Sequence, residues 1–420
     1  MFSRIVFILF LFLMSLVSCH SSHSPKSKTA AEILGNPNFQ AICYGGYRQN
    51  TREITPTLEQ VKEDLSILSA MNIKIIRTYN VHLPEVEVIL KAITALQKEQ
   101  PEFEMYVMLG AWIDCKNAWT NQPVDHFQES ERNEKEIAEA VRLTQLYPDI
   151  IKIIAVGNEA MVKWATSYYV QPEVILKWVN HLQALKKSGK LPKELWITSS
   201  DNFASWGGGT PDYHTNALNE LIKAVDYISV HTYPMHDTHY NPAFWGILEE
   251  EQSLSEKQQI EKAMLRARDY AINQVEAVQK YMQSIGVEKT IHIGETGWAT
   301  SCHHFYGKNG SKATDEYKSA IYYKMITKWC DQNKMSCFYF EAFDESWKDA
   351  QHPEGSENHF GLINLQSEAK YALWDMVDKG IFKGLTRDGK PITKTFGGNE
   401  SELLKNVQLP AKLHQATLTQ

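Results

Sequence analysis

Two glutamates stand where chemistry is expected. Glu159 closes the run Ala155-Val156-Gly157-Asn158-Glu159, and Glu295 lies in Ile293-Gly294-Glu295-Thr296-Gly297-Trp298. Each follows a short β-rich apolar stretch and a glycine-bearing turn. Glycosidic bond cleavage needs such a pair: one carboxyl protonates the leaving oxygen, and the other attacks the anomeric carbon or activates water. A separation of about 5–5.5 Å gives retention of configuration, and about 6.5–9.5 Å gives inversion. Opposed strand ends can supply the shorter spacing. Repulsion from an ionised Glu295 would keep a proton on Glu159. The expected roles are therefore Glu159 as acid/base and Glu295 as nucleophile, with the Asn158 amide within reach of a sugar 2-hydroxyl. The chemistry calls for no metal and no cofactor.

The elements that must carry these groups follow a βα alternation, which argues for a parallel sheet covered by helices. Strands are expected at Gln40–Tyr44, Ile73–Tyr79, Phe103–Leu109, Ile150–Val156, Leu195–Ser199, Tyr227–His231, Thr290–Ile293 and Cys337–Phe340. Helical patterns follow at Thr57–Met71, Glu85–Lys98, Glu131–Leu146, Glu173–Lys187, Asn216–Ala224, Lys257–Ile285 and Asp315–Gln332, with a last one near Ser367–Val377. Thr57 and Thr314 read as helix N-caps. Eight such units predict an α/β fold, the (β/α)8 TIM barrel, as a single catalytic domain over 37–382. Reactive groups of that fold sit past the C-terminal strand ends. Glu159 and Glu295 then occupy the ends of strands four and seven. Aromatic faces stack on pyranose rings, so Trp298, Trp347, Tyr233, Trp206, Phe203, Tyr47 and Trp112 are candidate subsite walls. His231, after strand six, reads equally as a cleft residue or a core histidine.

Six segments resemble family 17 of the glycoside hydrolases, the β-1,3-glucanase family. They are Cys43-Tyr44-Gly45, Arg77-Thr78-Tyr79, the Glu159 and Glu295 segments, Phe340-Glu341-Ala342-Phe343-Asp344-Glu345-Ser346-Trp347-Lys348, and His359-Phe360-Gly361-Leu362. The resemblance implies a retaining hydrolase of laminarin-type β-1,3-glucan, endo-acting, working by double displacement. By position it also implies auxiliary roles for Tyr79, Glu345 and Lys348, with Tyr79 donating to the nucleophile or ring oxygen and Glu345 and Lys348 bonding the carboxylates and sugar hydroxyls. A transglycosylase would use the same residues, with a sugar hydroxyl replacing water. A non-catalytic glucan-binding lipoprotein is the third reading, and two opposed carboxylates argue against it.

Composition narrows the partners. A net charge of -7 over 420 residues lacks the basic footprint of a nucleic-acid binder and suits a neutral polysaccharide. A monomer is expected. The N-terminus has a basic start, an apolar run from Ile5 to Leu13 and then Leu16-Val17-Ser18-Cys19. That run is short for a membrane span and fits a signal peptide. Its end resembles a bacterial lipoprotein signal, so 1–18 is expected to be removed and Cys19 lipidated. Residues 19–36 then form a polar tether to a bacterial membrane, outer membrane favoured, with the face left open. The extension 383–420 is expected to pack on the barrel or to be partly mobile. Removing Cys19 leaves five cysteines, an odd number; a Cys330–Cys337 pairing stays open.

Overall fold

The branched and aromatic runs do form strands. The computed structural model describes residues 27–413, and its eight main strands close a barrel. They are Gln40–Cys43 (β1), Ile73–Arg77 (β2), Tyr106–Ala111 (β3), Ile151–Asn158 (β4), Trp196–Asn202 (β5), Ile228–His231 (β6), Ile291–Gly297 (β7) and Cys337–Phe340 (β8). Every neighbour pair is parallel, in sequence order, and β8 pairs back onto β1. Side chains on both strand faces are buried, one set inside the barrel and one under the helices. This is why the strands read as near-continuous apolar runs rather than as alternating ones.

The helix layer consists of Leu58–Ala70 (α1), Glu85–Glu99 (α2), Arg132–Leu146 (α3), Pro172–Lys187 (α4), Asn216–Ala224 (α5), Glu256–Ser284 (α6) and Glu316–Gln332 (α7). Thr57 caps α1 in a reciprocal box with Gln60. The cap of α7 is Asp315, one residue beyond the expected Thr314: its carboxylate accepts from the Lys318 amide at 2.8 Å. The helix expected near Ser367–Val377 is replaced by smaller pieces. Glu368–Ala369 pairs as a strand with Thr393–Lys394, and the Lys370 ammonium is drawn inward to Asp344 at 2.7 Å. Those tertiary contacts hold the first turn extended, and only Trp374–Asp378 remains α-helical.

The walls of the mouth come from loops that carry structure of their own. A hairpin of Cys115–Lys116 and Asp125–Glu129 follows β3, and a short helix, Pro234–Tyr240, follows β6. All five cysteines among the described residues are free thiols. Cys19 and the signal segment lie outside the described residues.

The C-terminal extension packs on the barrel through charge. Arg387, almost wholly buried, donates to Asp64 of α1 at 2.9 Å and lies over the Phe343 ring at 4.2 Å. Removing one partner of a buried pair strands the other charge and costs about 3–5 kcal/mol. Arg48 still reaches Asp64 at 2.7 Å, so Arg387→Ala is expected at the lower end, about 3 kcal/mol. Urea unfolding of the variant and its parent checks this.

Candidate active site

The two glutamates reach the mouth by different routes. Gly157 adopts φ +83° and Glu159 φ +46°, a left-handed pair of residues that turns the chain sharply off β4. A Cβ on residue 157 would lie 2.8 Å from that of Ala160, so the turn requires glycine. The left-handed Glu159 is a strained position of the kind found at functional sites. The turn is braced from behind: Glu159 N–H donates to the Ser200 carbonyl at 3.0 Å, and Met161 N–H donates to the Asp201 carboxylate at 2.7 Å. Glu295 needs no turn, because it points inward from within β7.

Glu295 is held from several sides. The Tyr233 hydroxyl donates to Oε1 at 2.6 Å, and the Tyr79 hydroxyl to Oε2 at 3.0 Å. Arg77 donates Nη1 to the same Oε2 at 2.5 Å and Nη2 to the Asn158 Oδ1, also at 2.5 Å. One guanidinium thus ties the nucleophile position on β7 to the residue preceding Glu159 on β4. It occupies the acceptor oxygen of Asn158 and, among the described residues, leaves the amide NH2 uncommitted. Around Glu159 the set is sparser. His231 Nδ1 lies 3.2 Å from Oε1, and its Nε2 is 2.7 Å from the Ser200 hydroxyl.

The two carboxyls therefore have opposite proton affinities. Burial raises Glu159, the charge on Glu295 adds to it, and the pKa reaches about 8. Burial would raise Glu295 too, but His231, Arg77, Tyr233 and Lys348 outweigh it and bring the pKa down to about 2. His231 itself is pushed down to about 4 by burial, so near neutrality it is uncharged. Above that point the cations and the phenol donors keep Glu295 ionised. At neutral pH the site holds one proton, on Glu159. The pair faces a cavity of about 780 Å³ shared with Phe203, Tyr233, Tyr306 and Glu357.

Tyr233 is accessible to a direct test. Tyr233→Phe removes one donor to a charged carboxylate, a hydrogen bond worth about 1.5–3 kcal/mol. Glu295 then binds its proton more tightly. The acidic limb of the kcat/KM profile is expected to move up by about one pH unit, while the alkaline limb set by Glu159 stays near its place. Initial rates across the acid range measure it.

The other expected residues divide. Tyr79, Asn158, Phe203 and Tyr233 gather at the mouth. Glu345 and Lys348 make no direct bond to either catalytic carboxyl, contrary to expectation. Lys348 Nζ lies 2.9 Å from Glu341 and 3.4 Å from Glu345, and Glu345 accepts the Tyr47 N–H at 2.9 Å. A Cβ on Gly45 would sit 2.5 Å from the Glu345 carboxylate, so the glycine lets this cluster close. The cluster acts on Glu295 through the field of Lys348.

Three proposed subsite walls are core residues. Trp298 is 0% exposed, packs on Trp245 and Tyr322, and donates to the Ala313 carbonyl at 2.9 Å. Side chains alternate along a strand. Since Glu295 points in, Thr296 and Trp298 point out, and Thr296 meets Tyr322 of α7 at 2.7 Å. Trp206 is equally buried, with its indole on the Ser229 carbonyl at 3.0 Å. Tyr47 is buried with its hydroxyl on Glu85 at 2.8 Å. Trp347 is half-buried with the Arg52 guanidinium over its ring at 4.3 Å. Trp112 is half-buried and packs against Tyr168 at 5.3 Å. Sequence reasoning left Arg77, Glu341, Glu357 and Asp201 without roles. For Arg77 the signal is present: a cation at the end of an apolar strand must find a buried anion.

Known proteins share this architecture. The family model described as the BtgE/BtgC glycoside hydrolase domain matches residues 41–361. The crystal structure of an endo-laminarinase from Formosa superposes with a TM-score of 0.92 at 62% identity, covering 92% of this chain and 99% of that one. A probable glucan endo-1,3-beta-glucosidase btgC of Aspergillus terreus is 22% identical over 81% of this chain and 46% of its own length. The chain spans about half the length of the curated relatives first matched. A glycoside hydrolase family 17 β-1,3-glucanosyltransferase from Rhizomucor miehei has a TM-score of 0.54 at 17% identity, over 80% of this chain and 96% of that one, and shares the fold.

Proposed function

Since this chain belongs to the BtgE/BtgC glycoside hydrolase family, we propose that it is an endo-acting hydrolase of laminarin-type β-1,3-glucan that works with retention. The observation that carries this reading is the single proton shared unequally by the two glutamates of one cavity: Glu159 holds it and Glu295 does not. A protonated acid facing an ionised carboxylate is the resting state that double displacement requires. The substrate class rests on the likeness to the Formosa endo-laminarinase, which extends over nearly all of that enzyme.

In the first step a Glu295 oxygen bonds to the anomeric carbon as the glycosidic C–O bond breaks, and Glu159 delivers its proton to the leaving oxygen. Esterification removes the charge of Glu295, so the proton affinity of Glu159 falls. Glu159 then takes a proton from water as the water oxygen displaces the ester. Arg77 and Tyr79 hold Oε2, and Tyr233 holds Oε1, so the nucleophile is oriented before substrate arrives. The free NH2 of Asn158 is placed to donate to the 2-hydroxyl of the reacting sugar.

Incubation with laminarin, curdlan, lichenan and pustulan, with product chromatography and NMR of the first-formed anomer, tests the reading. β-Configured oligosaccharides from laminarin are expected. α-Anomers would overturn retention, no cleavage of laminarin would overturn the substrate, and products longer than the substrate would identify a transglycosylase.

We further propose that Cys19 is lipidated and tethers the enzyme to a bacterial membrane. The Leu16-Val17-Ser18-Cys19 motif supports this, and the first described residues suggest an orientation. Ser27 donates to the carbonyl of Asp149, ahead of β4, at the barrel end away from the carboxylates. A tether there would point the mouth away from the lipid surface. Palmitate labelling that persists in Cys19→Ala would overturn the anchor.

A further inference from the structure

The catalytic cavity is bounded by two large aromatic side chains that the reaction steps leave unused. Trp164 lies in the loop that follows Glu159, and Tyr240 ends the helix Pro234–Tyr240 after β6. Both are 62% exposed. Single exposed rings are ordinary on a protein surface, but these two line the same cavity as Glu159 and Glu295. Among the described residues, Trp164 makes no ring stack and no indole hydrogen bond. Tyr240 is buttressed at its rim, edge-on to His239 at 4.8 Å and near Phe305 at 6.3 Å. Between the two, polar groups are available for hydroxyls: Asn202, whose Oδ1 is taken by the Ala204 amide, and Asp237, which accepts from Asn241 at 2.7 Å.

Their place relative to the proton donor decides what they would hold. Trp164 follows β4, Asn202 ends β5 and Tyr240 follows β6, an unbroken arc of the mouth that starts at Glu159. The opposite arc, from β8 to β2, carries Lys348 with the buried Glu341 and Glu345. Glu159 gives its proton to the leaving oxygen, so the leaving sugar lies along the arc that continues from Glu159.

We propose that Trp164 and Tyr240 form an aromatic clamp for the glucosyl unit on the leaving-group side of the scissile bond, an inference that rests on the β-1,3-glucan reading. The clamp holds the leaving sugar while the Glu295 ester forms and Glu159 protonates its oxygen. It also holds any sugar that returns as acceptor. In that case the acceptor O–H gives its proton to Glu159, its oxygen bonds to the anomeric carbon and the ester C–O bond breaks, so the same two rings set the ratio of transfer to hydrolysis.

The test compares two substrates in the full-length protein. Laminarihexaose places glucosyl units on both sides of the bond, and an aryl β-laminaribioside has only the aryl group on the leaving side. For Trp164→Ala and Tyr240→Ala, kcat/KM on the hexaose is expected to fall about 5- to 10-fold further than on the aryl substrate, with fewer transfer products at high oligosaccharide concentration. Phe127→Ala, an exposed ring on the β3 hairpin at 82% exposure, is expected to change neither. Equal losses on both substrates, or no loss on the hexaose, would overturn the clamp while leaving the glucanase reading standing. A parent protein that leaves laminarihexaose uncut would overturn that reading, and the clamp with it. Both rings are exposed, so unchanged unfolding midpoints verify that the variants fold.

Discussion

Glu295→Gln is expected to lower kcat on laminarin by on the order of 10⁴- to 10⁶-fold, while laminari-oligosaccharides still bind. The amide keeps the shape: with its oxygen toward Arg77 and Tyr79 it still accepts from both, and its NH2 can donate to the Tyr233 hydroxyl oxygen. What it loses is the anion that attacks the anomeric carbon. Glu295→Ala makes the assignment stereochemical. Azide entering the vacated position should restore turnover and give the α-glycosyl azide, because it attacks from the face the carboxylate occupied. A β-azide from this variant would mean that the two glutamates had been assigned the wrong way round. Binding is read by calorimetry with laminaritriose, and folding by the unfolding midpoint.

Glu159→Gln is expected to cost about 10²- to 10⁴-fold on laminarin and far less on substrates with an acidic phenol leaving group, which departs without a proton. The alkaline limb near pH 8, set by the Glu159 proton, should vanish from the profile. Azide rescue here should give the β-glycosyl azide, formed by attack on the Glu295 ester. The same substitution carries a stability signature. The carboxyl is raised from 4.5 to about 8 by burial and by the charge of Glu295. Between those values the folded protein holds a proton that the unfolded chain has released, so the parent loses stability as pH rises through that window. Gln has no such proton, so the variant should gain stability relative to the parent from about pH 4.5 to about 8 and level off above. A flat difference in urea midpoints across that window would contradict the burial of Glu159.

How far the site was legible follows from which contacts are local. The acid/base and its Asn158 neighbour are adjacent in sequence, and the turn they need is written in Gly157. The roles of Tyr79 and Tyr233 on Glu295 come from strand ends that the strand count already placed. Arg77 shows the limit: it lies 218 positions from Glu295, and its motif could be read without revealing which carboxylate it would meet. The aromatic residues were the least readable. Whether a ring lines the mouth or the helix layer depends on which face of the strand points inward, and one residue of phase reverses the answer. Trp298 falls on the outward phase and Tyr233 beyond its strand end, so two stacking candidates part company, and the one that reads better from sequence is the one in the core. The last helix failed for a related reason. The apolar spacing of 367–377 is compatible with a helix, but Lys370 is drawn to Asp344 and Glu368 pairs with Thr393, contacts made only once the barrel has closed.

By itself the sequence determined the barrel and the positions of Glu159 and Glu295, because strand and helix periods and the residues at strand ends are local properties of the chain. Tertiary structure decided which of the two keeps its proton. That difference arises from burial and from Arg77, Tyr233 and His231, brought together from the ends of two other strands, β2 and β6. It also decided which aromatic rings are left facing the cavity, because side-chain alternation assigns a ring to a wall or to the core only when the register of the closed barrel is set.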